Sequence, residues 1–189
     1  MKKDWREPPH LALLFAALDR HSVRYVLFGT TALVAYGAAL STGDLDICPA
    51  PDRENLQRLA ALLTEIQARP HSAFDDPEQE KAAFWRPEPL TLETLDSLFQ
   101  TTIGELDVVP FPYGPHGKLD RFSYESLHIR AVTKTAFDVR IPVAAFEDVV
   151  ASKLSAHREK DLRILPEIER LRNEHTQGKE TGWPLADTL

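Results

Sequence analysis

Between Tyr25 and Ile47 the chain reads YVLFGTTALVAYGAALSTGDLDI, and this stretch decides the expected fold. Tyr25-Val26-Leu27-Phe28 is an unbroken run of aromatic and branched apolar residues, the pattern of a buried strand. Gly29 interrupts it, and Thr30-Thr31 lead into Ala32-Leu33-Val34-Ala35-Tyr36, which suits a short helix with Thr30 or Thr31 as N-cap. A strand–Gly–helix turn leaves the first helical amides without partners, a seat for phosphate oxygens. Thr42-Gly43 then open a second strand, Asp44-Leu45-Asp46-Ile47. Side chains alternate along a strand, so Asp44 and Asp46 share one face while Leu45 and Ile47 bury on the other. Two carboxylates one strand period apart, beside an amide-lined turn, suit a divalent cation held against a triphosphate.

Further along, Leu98–Thr102 and Glu105–Val109 read as two strands joined by a tight turn at Ile103-Gly104. Asp107 and Glu105 share a face of the second strand, opposite Leu106 and Val108. Either carboxylate has the chemistry to accept a proton from an attacking hydroxyl.

Gly29-Thr30 followed by Asp44-Leu45-Asp46 resembles the Gly-Gly/Ser … Asp-x-Asp signature of the nucleotidyltransferase superfamily that includes DNA polymerase β. The whole run, with its Ala-rich helix and Thr-Gly-Asp-Leu-Asp-Ile strand, is most similar to the minimal bacterial AbiE-type toxin nucleotidyltransferases. One position departs from the pattern: Thr30 stands where Gly or Ser is usual, which keeps a hydroxyl and adds a methyl. The resemblance spans roughly residues 23–171. It implies a metal set of Asp44, Asp46 and Asp107, with Asp107 as general base and Glu105 as the alternative. It also implies Mg²⁺ or Mn²⁺ as cofactor and a nucleoside triphosphate as substrate. Lys153 would meet the triphosphate beside Gly29 and Thr30, with Arg158 and Asp161 supporting the site. The implied fold is α/β: a short, mixed, twisted sheet with flanking helices and a helical C-terminal segment.

Around this centre, Leu11, Leu14, Phe15 and Leu18 recur at helical spacing and predict an amphipathic helix over residues 10–20. A second helix is expected from Asp52 to Gln67, with Asp52 as cap and Leu56, Leu59, Leu62, Leu63 and Ile66 as its apolar face. Arg53, Arg58 and Arg69 are read as solvated. Residues 70–89, with four prolines, an acidic cluster and Phe84-Trp85, read as a long irregular connection. Pro110–Gly117 is a loop leaving the sheet near the carboxylates, with His116 as a loop histidine. Tyr124–Leu127 reads as a helical turn, and residues 128–132 and 137–141 as a hairpin. Val143, Phe146, Val149, Val150 and Leu154 mark a helix over residues 143–157, and Pro166 opens a last helix ending near Asn173. The domains expected are a core over residues 1–142, a helical segment over 143–173 and a loose polar tail over 174–189.

The chain has 189 residues, 43% of them hydrophobic, and a net charge of −7, which excludes a global basic field drawing it to nucleic acid or acidic membrane. A single cysteine, Cys48, leaves no internal disulfide; it fits a reducing cytoplasm and is read as packed. No long apolar span marks a membrane partner. Three readings follow. The main one is a toxin transferring a nucleotide to RNA, such as a tRNA 3′ end, and neutralised by a cognate antitoxin. The second is the same reaction on a protein or on a small molecule such as an antibiotic, and the third is a silent fold used for binding. A basic strip of Lys153, Arg158, Lys160 and Arg163 beside the carboxylates would favour RNA. A neutral cleft would favour a small molecule, and diverging carboxylates a silent fold.

Overall fold

The computed structural model describes residues 11–70, 90–117 and 119–176. In chain order its elements are α1 (Leu11–Arg20), β1 (Tyr25–Leu27), α2 (Gly29–Ala35), β2 (Asp44–Pro49), α3 (Arg53–Glu65), β3 (Arg69–Pro70), α4 (Leu92–Leu95), β4 (Ser97–Thr101), β5 (Gly104–Val108), α5 (Tyr124–Arg130), β6 (Val132–Ala136), β7 (Val139–Val143), α6 (Phe146–Ala156), α7 (Glu159–Leu162) and α8 (Leu165–Thr176). The strands form one mixed sheet in the order β3-β4-β5-β2-β1-β7-β6. β1 lies parallel to β7 and β2 parallel to β5, and the remaining neighbours are antiparallel. This is the α/β architecture with a mixed sheet and flanking helices that the sequence led us to expect.

The apolar run at residues 25–28 explains the centre of the sheet. All three residues of β1 are buried, as a strand with neighbours on both edges and helices over it requires. The apolar face of α1 joins the same core through Leu14, Phe15 and Leu18. The cap of α3 is as expected: Asp52 accepts from the Asn55 amide at 3.2 Å. Asn55 does more than occupy the third position of that turn. Fully buried, its amide donates to Arg24 O and Ala50 O, both at 2.9 Å, and its Oδ1 accepts from Arg24 N at 2.6 Å. One side chain thus clips the entry of β1 to the exit of β2. Arg58 bonds Glu54 and Ser22 O rather than standing in solvent alone.

Four expectations need correction. The residues 128–130 belong to α5, which starts at Tyr124 as expected, behind a Ser123–Ser126 capping box, but runs on to Arg130. The hairpin consequently pairs residues 132–136 with 139–143, and Phe137 and Asp138 form its turn with φ of 53° and 61°. Leu154 points away from the core and is 45% exposed. The last helix continues through Glu174 to Thr176, where Arg170 ties Glu174 and Glu167 together. The expected connection beyond Pro70, with Trp85, and the tail beyond Thr176 lie outside the described residues. Ile168 and Leu171 of α8 sit in the core, and Arg170 donates to Gly37 O at 2.9 Å, so the C-terminal helix is fastened to the turn after α2.

Candidate active site

The two parallel strands β2 and β5 decide what meets here. Their register puts Asp46 level with Asp107 and Asp44 level with Glu105. Level residues on adjacent strands point to the same face, so the alternation that groups Asp44 with Asp46 also recruits Asp107. One carboxylate oxygen from each of Asp44, Asp46 and Asp107 lies within 4.8 Å of the other two, and all three side chains are half-buried. Three convergent carboxylates repel one another and supply hard oxygen donors, the set that Mg²⁺ or Mn²⁺ takes. Glu105 is not in this group.

Gly29 stands directly against the cluster. Its φ is +64°, and a β-carbon built there would lie 2.0 Å from Asp46 Oδ2. A glycine is therefore required twice over, by backbone conformation and by the carboxylate occupying the space of its side chain. The amide of Phe28 donates to Asp46 O at 3.0 Å and holds the two segments together. Neither threonine caps α2: the N-cap position is Phe28, with no side-chain bond. The chain turns into the helix two residues earlier than a Thr30 cap would place it, at Gly29, whose φ of +64° other residues avoid. Thr31, fully buried, instead donates to Asp44 O at 3.0 Å. Thr42 donates to Asp44 Oδ1 at 2.8 Å and orients that carboxylate. The sequence reading took Thr31 as a possible cap and Thr42 as opening the strand, and gave neither a bond to Asp44; the signal for Thr42 is a hydroxyl two residues before a strand-end aspartate.

On the other side of the turn, Lys153 of α6 reaches Thr30. Its Nζ donates to Thr30 Oγ1 at 2.9 Å and to Asp161 Oδ1 at 3.3 Å. Lys153 is only 8% exposed and Asp161 3%, so the ammonium and carboxylate are desolvated and depend on each other. Arg158 adds Nε to Asp161 Oδ2 at 2.6 Å. Burial pushes the Asp161 carboxyl up, but the Arg158 hydrogen bond and the charges of Lys153 and Arg158 outweigh it and hold the group below the ordinary carboxylate range. The bond to Asp161 raises the Arg158 guanidinium above its ordinary value, and the charge of Asp46 adds to this, so Arg158 lies within the field of the aspartate cluster. The structure thus brings together Gly29, Thr30, Asp44, Asp46, Asp107, Lys153, Arg158 and Asp161. The His116 amide donates to Asp120 Oδ2 at 3.0 Å.

Two expected results arise from this network. Thr30→Ser keeps the acceptor for Lys153 and should leave stability near the parent's. Thr30→Val removes it beside a buried ammonium and should cost about 1–3 kcal/mol. Thermal or urea melts of both variants check this, and equal stability of Val and Ser would exclude the hydroxyl as a significant partner. The second result concerns pH. The folded pKa of Asp161 is depressed, so its contribution is complete above the unfolded value, about 3.9, and is lost as pH falls through the folded value. Below about pH 4 the melting temperature of the parent should therefore fall more steeply than that of Asp161→Asn. Parallel acid-side curves for the two would show that the carboxylate is not stabilised by folding.

By sequence the chain matches no family model and no curated protein. By structure it is similar to the lincosamide antibiotic adenylyltransferase LnuA in its lincomycin-bound crystal form, with a TM-score of 0.53 and 16% identity over 86% of this chain and 96% of that one. It also aligns with the antibiotic-resistance factor ANT(2'')-Ia in solution (TM-score 0.47, 12% identity, 89% of this chain and 91% of that one). Its complex with adenylyl-2''-tobramycin aligns at a TM-score of 0.42 and 13% identity, over 87% and 98% of the two chains. No helix among the described residues is long and apolar enough to cross a membrane. With its mixed sheet, its aspartates on adjacent parallel strands and its likeness to LnuA along nearly that protein's whole length, the chain has the nucleotidyltransferase fold.

Proposed function

We propose that this protein transfers a nucleoside monophosphate from a nucleoside triphosphate to a hydroxyl of a small molecule, such as an antibiotic. The observation that carries the reading is the convergence of Asp44, Asp46 and Asp107 in front of the Gly29 turn. Such convergence speaks against a silent binding fold, since mutual repulsion makes an unused carboxylate trio costly.

The residues divide the work as follows. Asp44, Asp46 and Asp107 would hold a divalent cation, which when bound offsets their repulsion and the charge of the phosphates. Thr42 fixes the orientation of Asp44. Gly29 lets the backbone approach the phosphates closely, and Lys153, already positioned by Thr30 and Asp161, supplies a point charge for them. Asp107 orients the acceptor hydroxyl and takes its proton. The acceptor oxygen then bonds to the α-phosphorus, the bond from that phosphorus to the bridging oxygen breaks, and pyrophosphate leaves with the electron pair.

The acceptor class is argued from charge. Of the four cations in the basic strip that RNA would need, Lys153 and Arg158 are tied to Asp161, and Arg163 is paired with Glu159. Lys153 and Arg158 share one buried carboxylate, which leaves less free positive charge beside the aspartates for a polyanion. The likeness to a lincosamide adenylyltransferase supports the same choice. RNA as acceptor, with a cognate antitoxin as partner, is the rival outcome. The test is incubation with each labelled nucleoside triphosphate and Mg²⁺, in separate reactions with lincosamides and other hydroxylated small molecules, total RNA, and lysate protein. Label in the small-molecule fraction is expected. Label confined to RNA would overturn the acceptor, and no label with any triphosphate would overturn the reaction.

A further inference from the structure

At the end of β1 remote from Gly29 a cleft of about 460 Å³ opens between α1, α3, α5 and β7. The register Leu27↔Val143 between two parallel strands puts Arg24 and Arg140, each three residues earlier, at one level. Both line the cleft, as does Arg58. Tyr124 and His128 form another wall, their rings stacked at 5.2 Å with an interplanar angle of 13°. Asp19 is the only carboxylate among the lining residues. On a chain of net charge −7, three guanidinium groups around one concavity are a local concentration of cationic donors.

These arginines remain available to a ligand in different degrees. Arg24 pairs with Asp52 and Arg58 with Glu54, both solvent-exposed pairs of little worth that an incoming phosphate can replace. Arg140 is exposed and lines the cleft. Guanidinium forks match phosphate oxygens in pairs, and an exposed imidazole already stacked on a tyrosine offers its outer face to a flat ring.

We propose that this cleft is a second site, for a phosphate-bearing ligand of mononucleotide size, separate from the aspartate cluster. The volume suits it, since ligand sites of small molecules run from about 300 to 1,000 Å³. The arginines take the phosphates and the Tyr124–His128 wall takes the base. Tyr25 to Gly29 spans four strand rises, roughly 13 Å, so one ligand cannot fill both places with its phosphates. The proposal does not depend on the transfer reaction, because it uses none of the residues assigned to that reaction.

The test uses the full chain in EDTA at low salt, titrated calorimetrically with ADP. Binding is expected, weaker with inorganic phosphate and absent with adenosine. Arg140→Ala should weaken ADP binding about tenfold or more, as loss of a charged hydrogen-bonding partner does, while Arg163→Ala, an exposed arginine that does not line the cleft, should leave it unchanged. Arg140 is exposed, so its truncation does not threaten the fold. Failure of ADP to bind, equal binding by Arg140→Ala, or an equal loss of binding in Arg163→Ala would each overturn the second site.

Discussion

Replacing Asp46 by alanine should lower nucleotide transfer by about a thousandfold or more, equivalent to roughly 4 kcal/mol of transition-state stabilisation, while the melting temperature stays close to the parent's. Asp46 occupies the middle of the cluster in two senses. It lies level with Asp107 across the β2–β5 pairing and directly against Gly29 at the turn into α2. The substitution should not unfold the protein, because taking away one of three converging negative charges relieves repulsion, and the residue's β-strand backbone bonds are untouched. Calorimetric melting together with a transfer assay separates the two effects. Unchanged transfer at unchanged stability would remove Asp46 from the chemistry.

Gly29→Ala should damage both stability and activity. Its φ of +64° imposes strain on any residue with a β-carbon, about 1–3 kcal/mol, and the new carbon would lie only 2.0 Å from Asp46 Oδ2. Either the turn or the carboxylate must move, and each movement spoils the site. In an Asp46→Gly background the obstructing side chain is absent, so the same substitution should cost less there. If the stability loss is the same in both backgrounds, backbone strain accounts for all of it and the contact with Asp46 for none. The pair of measurements therefore tests the reason for the glycine as well as its necessity.

Much of this site is legible in the sequence because it rests on two short-range rules. Strand alternation groups Asp44 with Asp46 and Asp107 with its own neighbours, and a glycine between an apolar strand and a helix marks the turn. What alternation cannot reveal is which strands lie side by side. The parallel β2–β5 pairing joins residues about sixty positions apart, and the context of the resemblance, not local pattern, pointed to Asp107. The misplaced hairpin has a local cause. Phe137 resembles a strand residue, yet it occupies a left-handed turn position, while His128-Ile129-Arg130 carries the branched residue expected of a strand but is captured by a helix with a strong Ser123 cap. Thr30 and Thr31 misled in the opposite way: their hydroxyls have the right chemistry for a cap and are used across the fold instead, toward Lys153 and Asp44. Leu154 continued an apolar spacing that the helix leaves on its outer side.

Cys48 has a practical consequence of its own. The only cysteine of the chain lies on β2, two residues beyond Asp46, completely buried, with its thiol donating to Pro110 O at 3.5 Å. Burial pushes that thiol up to about 12, so at neutral pH it is a protonated, inaccessible group. A thiol reagent can reach it only when the strand that carries two of the aspartates comes away from its neighbours. The labelling rate is then a clock for local opening of the aspartate-bearing strand. Any ion or nucleotide that binds only the closed form must slow that clock by a factor of 1 + [L]/Kd, the reciprocal of the unoccupied fraction. Affinity at the aspartates is therefore measurable in the native protein before any acceptor is known.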